Sequence, residues 1–488
     1  MKSQLLARSA LAAALVVAVS ACSEGLSSVN RNPNAPTDVD ARFLLPQAIR
    51  SSLDDTRMQL AHTSIWSQHT VQIQYPDEER GQVRPGTIQT FWDRYYANAL
   101  KDIQTVIAKG QENGRPNHEA VGLIWRAWLY HEITDVWGGV PYTQALRAEE
   151  GITTPSYDTQ QAIYTSLFAT LKAAEALLNQ ADTGFGSGDI LYNNNFNQWR
   201  RFSQSLRMRL AMRLSEVAPV TAQAEFLDAF AAGAGGFQSN ADNAMLRWPG
   251  SPYRQPLFEN YLGRDDDGVS ATMIDTLAAL NDPRLQLYAV PAEQDGVYRG
   301  LRNNTYVPPL SIANYSRIGN FWRADGAATP TAIITYSEVL FLRAEAAERG
   351  WTTEVAATLY EQAIRANMNQ WDAFGPANAP TDAEIDAYLL QPGIVYVPGA
   401  TGRAQIQLQK WLALYMQGNE AYANQRRTDL PALTLGPDIP FRPVRFYYPE
   451  GEQSLNSSNM EAAVASQMPQ GDAKTLRGRV WWDVVTPP

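Results

Sequence analysis

Cysteine is almost absent: Cys22 is the only one in 488 residues. No intrachain disulfide and no cysteine-based zinc site can form. Histidine is scarce too, with only His62, His69, His118 and His131, and no HExxH motif. His62 and His69 can share a helix face, but with no third ligand they read as packing residues. Phosphate loops, dinucleotide fingerprints and G-x-S-x-G elbows are missing, which removes the common nucleotide-dependent and serine-nucleophile classes. Basic charge is short: 40 Lys+Arg face 50 Asp+Glu, a net charge of −10. A nucleic-acid partner is excluded on that balance, because phosphate contacts need clustered cations. The acidic turn Asp265-Asp266-Asp267-Gly268 resembles a calcium loop only superficially. With Gly268 at the sixth place, the first and last ligand positions fall on Gly263 and Ile274, and neither can coordinate. It reads as a solvated turn. No metal and no cofactor is expected.

What is present begins with a leader. Lys2 and Arg8 precede an uncharged run, Ala10 to Val19, which is too short to span a bilayer and has the form of a secretory signal. It ends in Val19-Ser20-Ala21-Cys22, which resembles a bacterial lipobox. In that class of signal the cysteine thiol is lipidated and becomes the mature N-terminus. Residues 1–21 are read as a lipoprotein signal peptide and 22–37 as a lipidated leash rich in Ser, Asn and Pro. Residues 38–488 form the body. No later stretch is apolar enough to cross a membrane, so attachment rests on the lipid anchor at Cys22.

The body is 45% hydrophobic across the chain as a whole, enough for a packed core. Its pattern is mainly α. The 3.6-residue stripe predicts helices over Phe91–Lys109, from a cap at Asn117 to Thr134, Gln160–Asn179, Trp199–Val217, Thr335–Gly350, Glu354–Trp371 and Arg403–Asn424. Tyr336–Arg349 and Glu354–Asn369 form a helix–turn–helix unit. Its second helix carries Ala356, Tyr360 and Ala363 at tetratricopeptide-like spacing. Leu167, Leu171 and Ala174 repeat that spacing. Two segments are loop-rich, 68–90 and 247–331. Such long irregular stretches usually carry function.

Several ordered stretches resemble the SusD/RagB family of outer-membrane nutrient-binding lipoproteins. They are the leash VNRNPNAP, Asp135–Ala145 (DVWGGVPYTQA), TPSYDTQQAIYTSL, YSEVLFLRAEAAERGW from Tyr336, KWLALYMQGNEAYANQRRT from Lys410, and the C-terminal PFRPVRFYYPEGEQSLNSSN and VWWD. Gln144 stands where the signature often has an acid, and only Glu24 follows Cys22 closely with acidic charge. The resemblance implies a scaffold of tetratricopeptide-like helix pairs with a loop-rich ligand-binding part. It implies a lid on a SusC-like TonB-dependent β-barrel transporter, an outer-membrane location facing the exterior, capture of oligosaccharides, and no enzymatic activity. Capture of peptides is the alternative. A surface hydrolase is a further one, since fifty carboxylates do not exclude a catalytic pair. A lid that packs on the barrel and binds nothing alone is the last.

The charges inside the motifs, Glu338, Glu345, Glu420, Arg426 and Arg427, are expected to pair with each other and with loop backbone. Ligand contacts are sought among aromatics in irregular segments. A flat ring matches the C–H face of a sugar, and nearby polar groups match its hydroxyls. The expected contacts are Trp66, Tyr75 and Arg80 around the first loop, with Trp92 just after it. Tyr315, Asn320, Trp322 and Arg323 are the expected contacts from the second loop.

Overall fold

The computed structural model describes residues 38–54, 56–82, 84–232, 235–305, 311–439, 441–468 and 475–484. The expected signal peptide, the expected lipidation site Cys22 and the expected leash to residue 37 therefore lie outside the described residues.

The architecture is mainly helical, as the periodicity predicts. The longer helices are α1 (Ala41–Leu53), α2 (Lys101–Glu112), α3 (Pro116–Trp137), α4 (Gln160–Leu177), α5 (Phe196–Arg213), α6 (Pro219–Ala232), α7 (Tyr336–Glu348), α8 (Ala356–Met368), α9 (Ala400–Ala413) and α10 (Gly418–Thr428). Consecutive helices pack pairwise: α2 on α3, α3 on α4, α5 on α6 and α7 on α8. In the α7–α8 unit, Tyr360 and Ala363 are buried. Ser337 on α7 donates to the Ala363 carbonyl at 2.8 Å. Small residues let the two backbones approach, which is what the tetratricopeptide-like spacing requires. In α4, Leu167, Leu171 and Ala174 are likewise buried.

Three local expectations are corrected. Asn117 does not cap α3, which starts at Pro116. Its buried amide instead accepts from the Asn179 N–H (2.9 Å) and donates to the Asn179 carbonyl (2.8 Å), pinning the end of α4 to α3. The helix expected over 91–109 is divided, with a π-helical segment at Arg94–Leu100 preceding α2. The helix expected over 403–424 breaks between α9 and α10, where Met416 adopts φ +67°. The break lets Gly418 close on Thr63 and Ser64 more tightly than any side chain permits.

Buried charge knits the scaffold. Arg209 grips Glu338 through two bonds of 2.7 and 2.6 Å. Arg427 grips Glu345 through two of 2.7 Å. Arg213 pairs with Glu420 and with Asp135. Arg426 donates to the carbonyls of Asp135 and Val444. Of the five motif charges, Glu345 and Arg427 pair with each other and Arg426 with backbone as expected, whereas Glu338 and Glu420 pair instead with Arg209 and Arg213 of α5.

Among the described residues, eight short strands pair in antiparallel twos. They are β1 (Thr70–Gln72), β2 (Val140–Pro141), β3 (Tyr157–Asp158), β4 (Ala244–Leu246), β5 (Asp267–Val269), β6 (Ala289–Val290), β7 (Arg317–Ile318) and β8 (Thr331–Ile334). The pairs are β1–β5, β2–β3, β4–β8 and β6–β7. The β1–β5 pairing joins the two loop-rich segments.

Candidate functional site

The register of β1 on β5 sets Val71 opposite Gly268 and Gln72 opposite Asp267. Position 268 must be glycine, because a Cβ there would lie 2.7 Å from Ile73 and 2.8 Å from the Ser316 carbonyl. The acidic turn is not solvated as expected. Asp265 pairs with Arg317 (2.7 Å) and Arg323 (2.5 Å), and Asp266 with Arg264 (2.6 Å). Burial works to raise the Asp265 carboxyl, but the two guanidinium groups hold it below its ordinary value.

At the end of this ribbon lies a polar cleft of about 190 Å³, lined by Gln72, Gln74, Tyr75, Glu78, Arg84 and Arg264, with Ala61, Asp266 and Asp267. Tyr75 is its ring. The backbone holds Tyr75 at φ +54°, a conformation rare for non-glycine residues and frequent at functional positions. The ring is 62% exposed. The Arg264 guanidinium lies 4.5 Å from its centre, covering it from one side. Arg84 binds Glu78 Oε1 at 2.8 Å. Two buried acceptors in the lining, Gln72 Oε1 and Glu78 Oε2, are reached by no donor among the described residues. Buried acceptors are normally satisfied, so this pair is suited to receive hydroxyl protons from a bound molecule.

Glu79 braces the cleft from behind. It is buried and accepts from the Gln72 N–H (3.1 Å), the Asn304 N–H (2.9 Å) and Asn303 Nδ2 (3.0 Å). Burial pushes its carboxyl up to about 8 against the pull of these donors. The contacts fasten residues 303–304 of the second loop segment to the first.

The expected site residues divide by burial. Trp66 is only 6% exposed and packs between Tyr422 and Phe446, each 5.2 Å away. Trp92 is as deeply buried, set edge-on against Trp137. Trp322 is 2% exposed and lies among Tyr288, Trp371 and Tyr415. These three rings sit in the core and present no face for a sugar to cover. The reason is tertiary: residues flanking the loops are the ones that fasten them to the scaffold. Tyr315 is half-buried against Val71, Ile73 and Leu301. Arg323 is engaged by Asp265. Arg80 is exposed, at the end of the short 3-10 turn Glu78–Arg80. Asn320 is exposed and lines a different cleft. Tyr75 alone is both exposed and in the polar cleft. Gln72, Glu78, Arg84 and Arg264 were not expected. Their signal was faint, being only charged and amide side chains inside segments already marked as functional loops.

Comparison with known proteins accords with this architecture. The profile of the SusD-like family described as "Starch-binding associating with outer membrane" matches residues 33–449. The chain belongs to this family. Its fold is shared with a solved structure described as a chitin-binding protein, at 29% identity and TM-score 0.80 over 91% of this chain and all of the other. A Bacteroidetes SusD-like structure is similar at 25% identity and TM-score 0.80, covering 92% of this chain and all of its own. A chitin-binding SusD homologue from Flavobacterium johnsoniae shares the fold at 24% identity and TM-score 0.78, covering 91% and 99% of the two chains. No protein of curated function matches the sequence. The family is outer-membrane associated and carbohydrate-binding, and this chain is a binding protein rather than an enzyme. The hydrolase alternative falls with that assignment.

Proposed function

We propose that this SusD-like chain is a lipid-anchored protein on the outer face of the outer membrane. It captures an oligosaccharide in the Tyr75 cleft and passes it to a TonB-dependent β-barrel beneath. The supporting observation is the pairing of an exposed ring with buried acceptors that lack donors. Tyr75, backed by Arg264, suits the C–H face of a sugar, and Gln72 Oε1 and Glu78 Oε2 suit its hydroxyls. The chitin-binding neighbour at 29% identity makes β-linked N-acetylglucosamine oligomers the first ligands to try. Residues Cys22 and 22–37 supply the anchor and leash in this reading, and Arg80 lies close enough in sequence to contribute to the rim.

Calorimetric titration of the purified chain with chitin, starch and other neutral glycan oligomers tests the proposal, with peptides as a parallel panel. Saturable glycan binding is expected. Tyr75→Ala should weaken it about tenfold, the upper range for loss of one aromatic contact. Binding to peptides alone would overturn the glycan reading. For the anchor, Cys22→Ser should move the chain from the membrane fraction to the soluble fraction. Retention of that variant in the membrane would contradict lipid attachment at Cys22.

A further inference from the structure

Away from the Tyr75 cleft, two larger clefts meet at one residue. The first, about 560 Å³, lies between the loop-rich part and the turn after α8, and includes Tyr298, Asn320, Phe321 and Phe374–Asn378 in its lining. The second, about 520 Å³, is lined by Tyr192, Met245, Arg247 and a run of carboxamides. Phe374 lines both. Neither shares a lining residue with the Tyr75 cleft.

The walls carry two charged side chains, Asp325 in the first lobe and Arg247 in the second. Phe321 is held edge-on against Trp322 and Trp371, at 5.0 and 5.5 Å between ring centres. Phe374 carries the Arg247 guanidinium 4.6 Å from its centre. The second lobe presents six carboxamides, Asn193, Gln198, Asn240, Asn243, Asn369 and Gln370, and no carboxylate. Several are pinned by one half to the main chain. Gln198 donates to the Ala241 carbonyl and Asn240 to the Ala366 carbonyl, while Asn243 accepts from the Tyr336 N–H. The bond on Gln198 fixes its oxygen as a positioned acceptor, whereas Asn243 Nδ2 lies 3.4 Å from Asn240 Oδ1, so those two amides also hold each other. Gln370 is 4% exposed and its Oε1 has no donor.

Carboxamides both give and accept hydrogen bonds, as sugar hydroxyls do, and they carry no charge. A charged ligand would call for countercharges, and here the one guanidinium is spread on a ring. An extended peptide would call for a free strand edge, whereas the recognition groups of the second lobe are side-chain amides beside a ring. We infer that the two lobes form a second glycan-binding groove, which holds an uncharged sugar segment against Phe374 with its hydroxyls on the amides. This inference rests on the glycan reading above. It adds that one chain grips a long glycan at two places, which raises retention through effective concentration.

The test is calorimetry on the purified chain with a short chitin-type oligosaccharide, alongside a peptide panel. Two ligands per chain are expected for the wild type, and in Tyr75→Ala one of the two should weaken about tenfold, leaving one at concentrations that saturate only the unchanged site. The ligand left on Tyr75→Ala should weaken about tenfold when Phe374→Ala is added. Asn369→Ala, which removes one amide and little packing, should weaken it about threefold. Thermal melts of the single variants identify any that fail to fold, and Asn369→Ala stands in if Phe374→Ala does. If Tyr75→Ala abolishes all binding while the wild type binds one ligand, the second groove is overturned and the Tyr75 reading survives. If Tyr75→Ala changes nothing and Phe374→Ala abolishes binding, the groove stands and the Tyr75 cleft does not. A wild type that binds no glycan, or binds only peptide, overturns both.

Discussion

Replacing Glu345 by alanine separates a structural role for the motif charges from a ligand role. Glu345 sits in α7, 2% exposed. Arg427 approaches it with two bonds of 2.7 Å, Gln407 with one of 2.7 Å and Arg349 with two of 2.9 and 3.1 Å. Alanine leaves the buried Arg427 guanidinium with Ser215 and Asn424, each at 3.0 Å, and no carboxylate in contact. Removing one partner of a buried pair costs about 3–5 kcal/mol, because the other charge stays desolvated and uncompensated. Unfolding entropy of about 2.1 cal/mol/K per residue, over a body of about 450 residues, gives roughly 1 kcal/mol per degree. The melting midpoint should therefore fall by about 3–5 °C in scans at fixed rate. Glu345→Gln should behave similarly, since its amide would set one N–H group against a guanidinium. Glycan affinity of the folded fraction should not change. A normal melt with lost binding would refute the structural assignment and place Glu345 at a ligand.

Other outcomes follow from the same geometry. Trp66→Ala and Trp322→Ala should each lose about 3–5 kcal/mol of stability through cavity formation in the core, whereas Tyr75→Ala should leave the melt almost unchanged; equal melts for all three would contradict the burial pattern. Gly268→Ala should lower the melting midpoint and glycan affinity together, since the β1–β5 ribbon must shift to admit the methyl group; unchanged binding would show that the ribbon does not hold the cleft. Glu79, raised to about 8 in the fold, keeps its proton between the ordinary value near 4.5 and 8 while the unfolded chain releases it. Its contribution is therefore full below about 4.5 and lost as pH rises to 8. Relative to wild type, Glu79→Gln should gain stability across that window, and a flat difference curve would refute the assignment. Glu345 has the opposite sign: burial works to raise it, but Arg427 holds it well below the carboxylate range. Its contribution is present above about 4.5 and lost in strong acid, so wild type and Glu345→Ala should converge there.

The fold was legible because its determinants are local and periodic. The stripes of α4, α7 and α8 lie close to where the 3.6-residue pattern sets them. The embedded charges announced a buried network, since a lone charge on an apolar stripe cannot persist unpaired. The break before α10 was hidden because its cause is Ser64, some 350 residues distant. The site was legible only as two segments. Proline and glycine marked both loops, yet nothing local reveals that Gln72 lies opposite Asp267, or that Trp66 and Trp322 turn inward. Tryptophan in a loop is ambiguous by nature, because a large ring anchors a loop as readily as it meets a ligand.

The residues that reveal the family are not those of the proposed ligand cleft. Asp135, in the DVWGGVP signature, takes bonds from Tyr164, Arg213 and Trp482. Trp137 donates to the Tyr447 carbonyl, and Gly138 adopts φ +86° beneath Met468 and Val480. Even the departure at Gln144 is structural, since its Oε1 accepts the Ser156 N–H at 2.8 Å as a carboxylate would. These contacts join the helix pairs to the C-terminal strap and are indifferent to what is bound. Gln72, Tyr75, Glu78 and Arg264 fall outside the short ordered motifs that mark the resemblance, though within the matched span 33–449. Loops can therefore change their ligand while the motif residues stay fixed. It follows that substitutions in the signature should act through stability on any ligand alike, and substitutions in the Tyr75 cleft should discriminate between ligands at constant stability. A signature variant such as Asp135→Asn that altered the preference between two glycans without moving the melt would break that division.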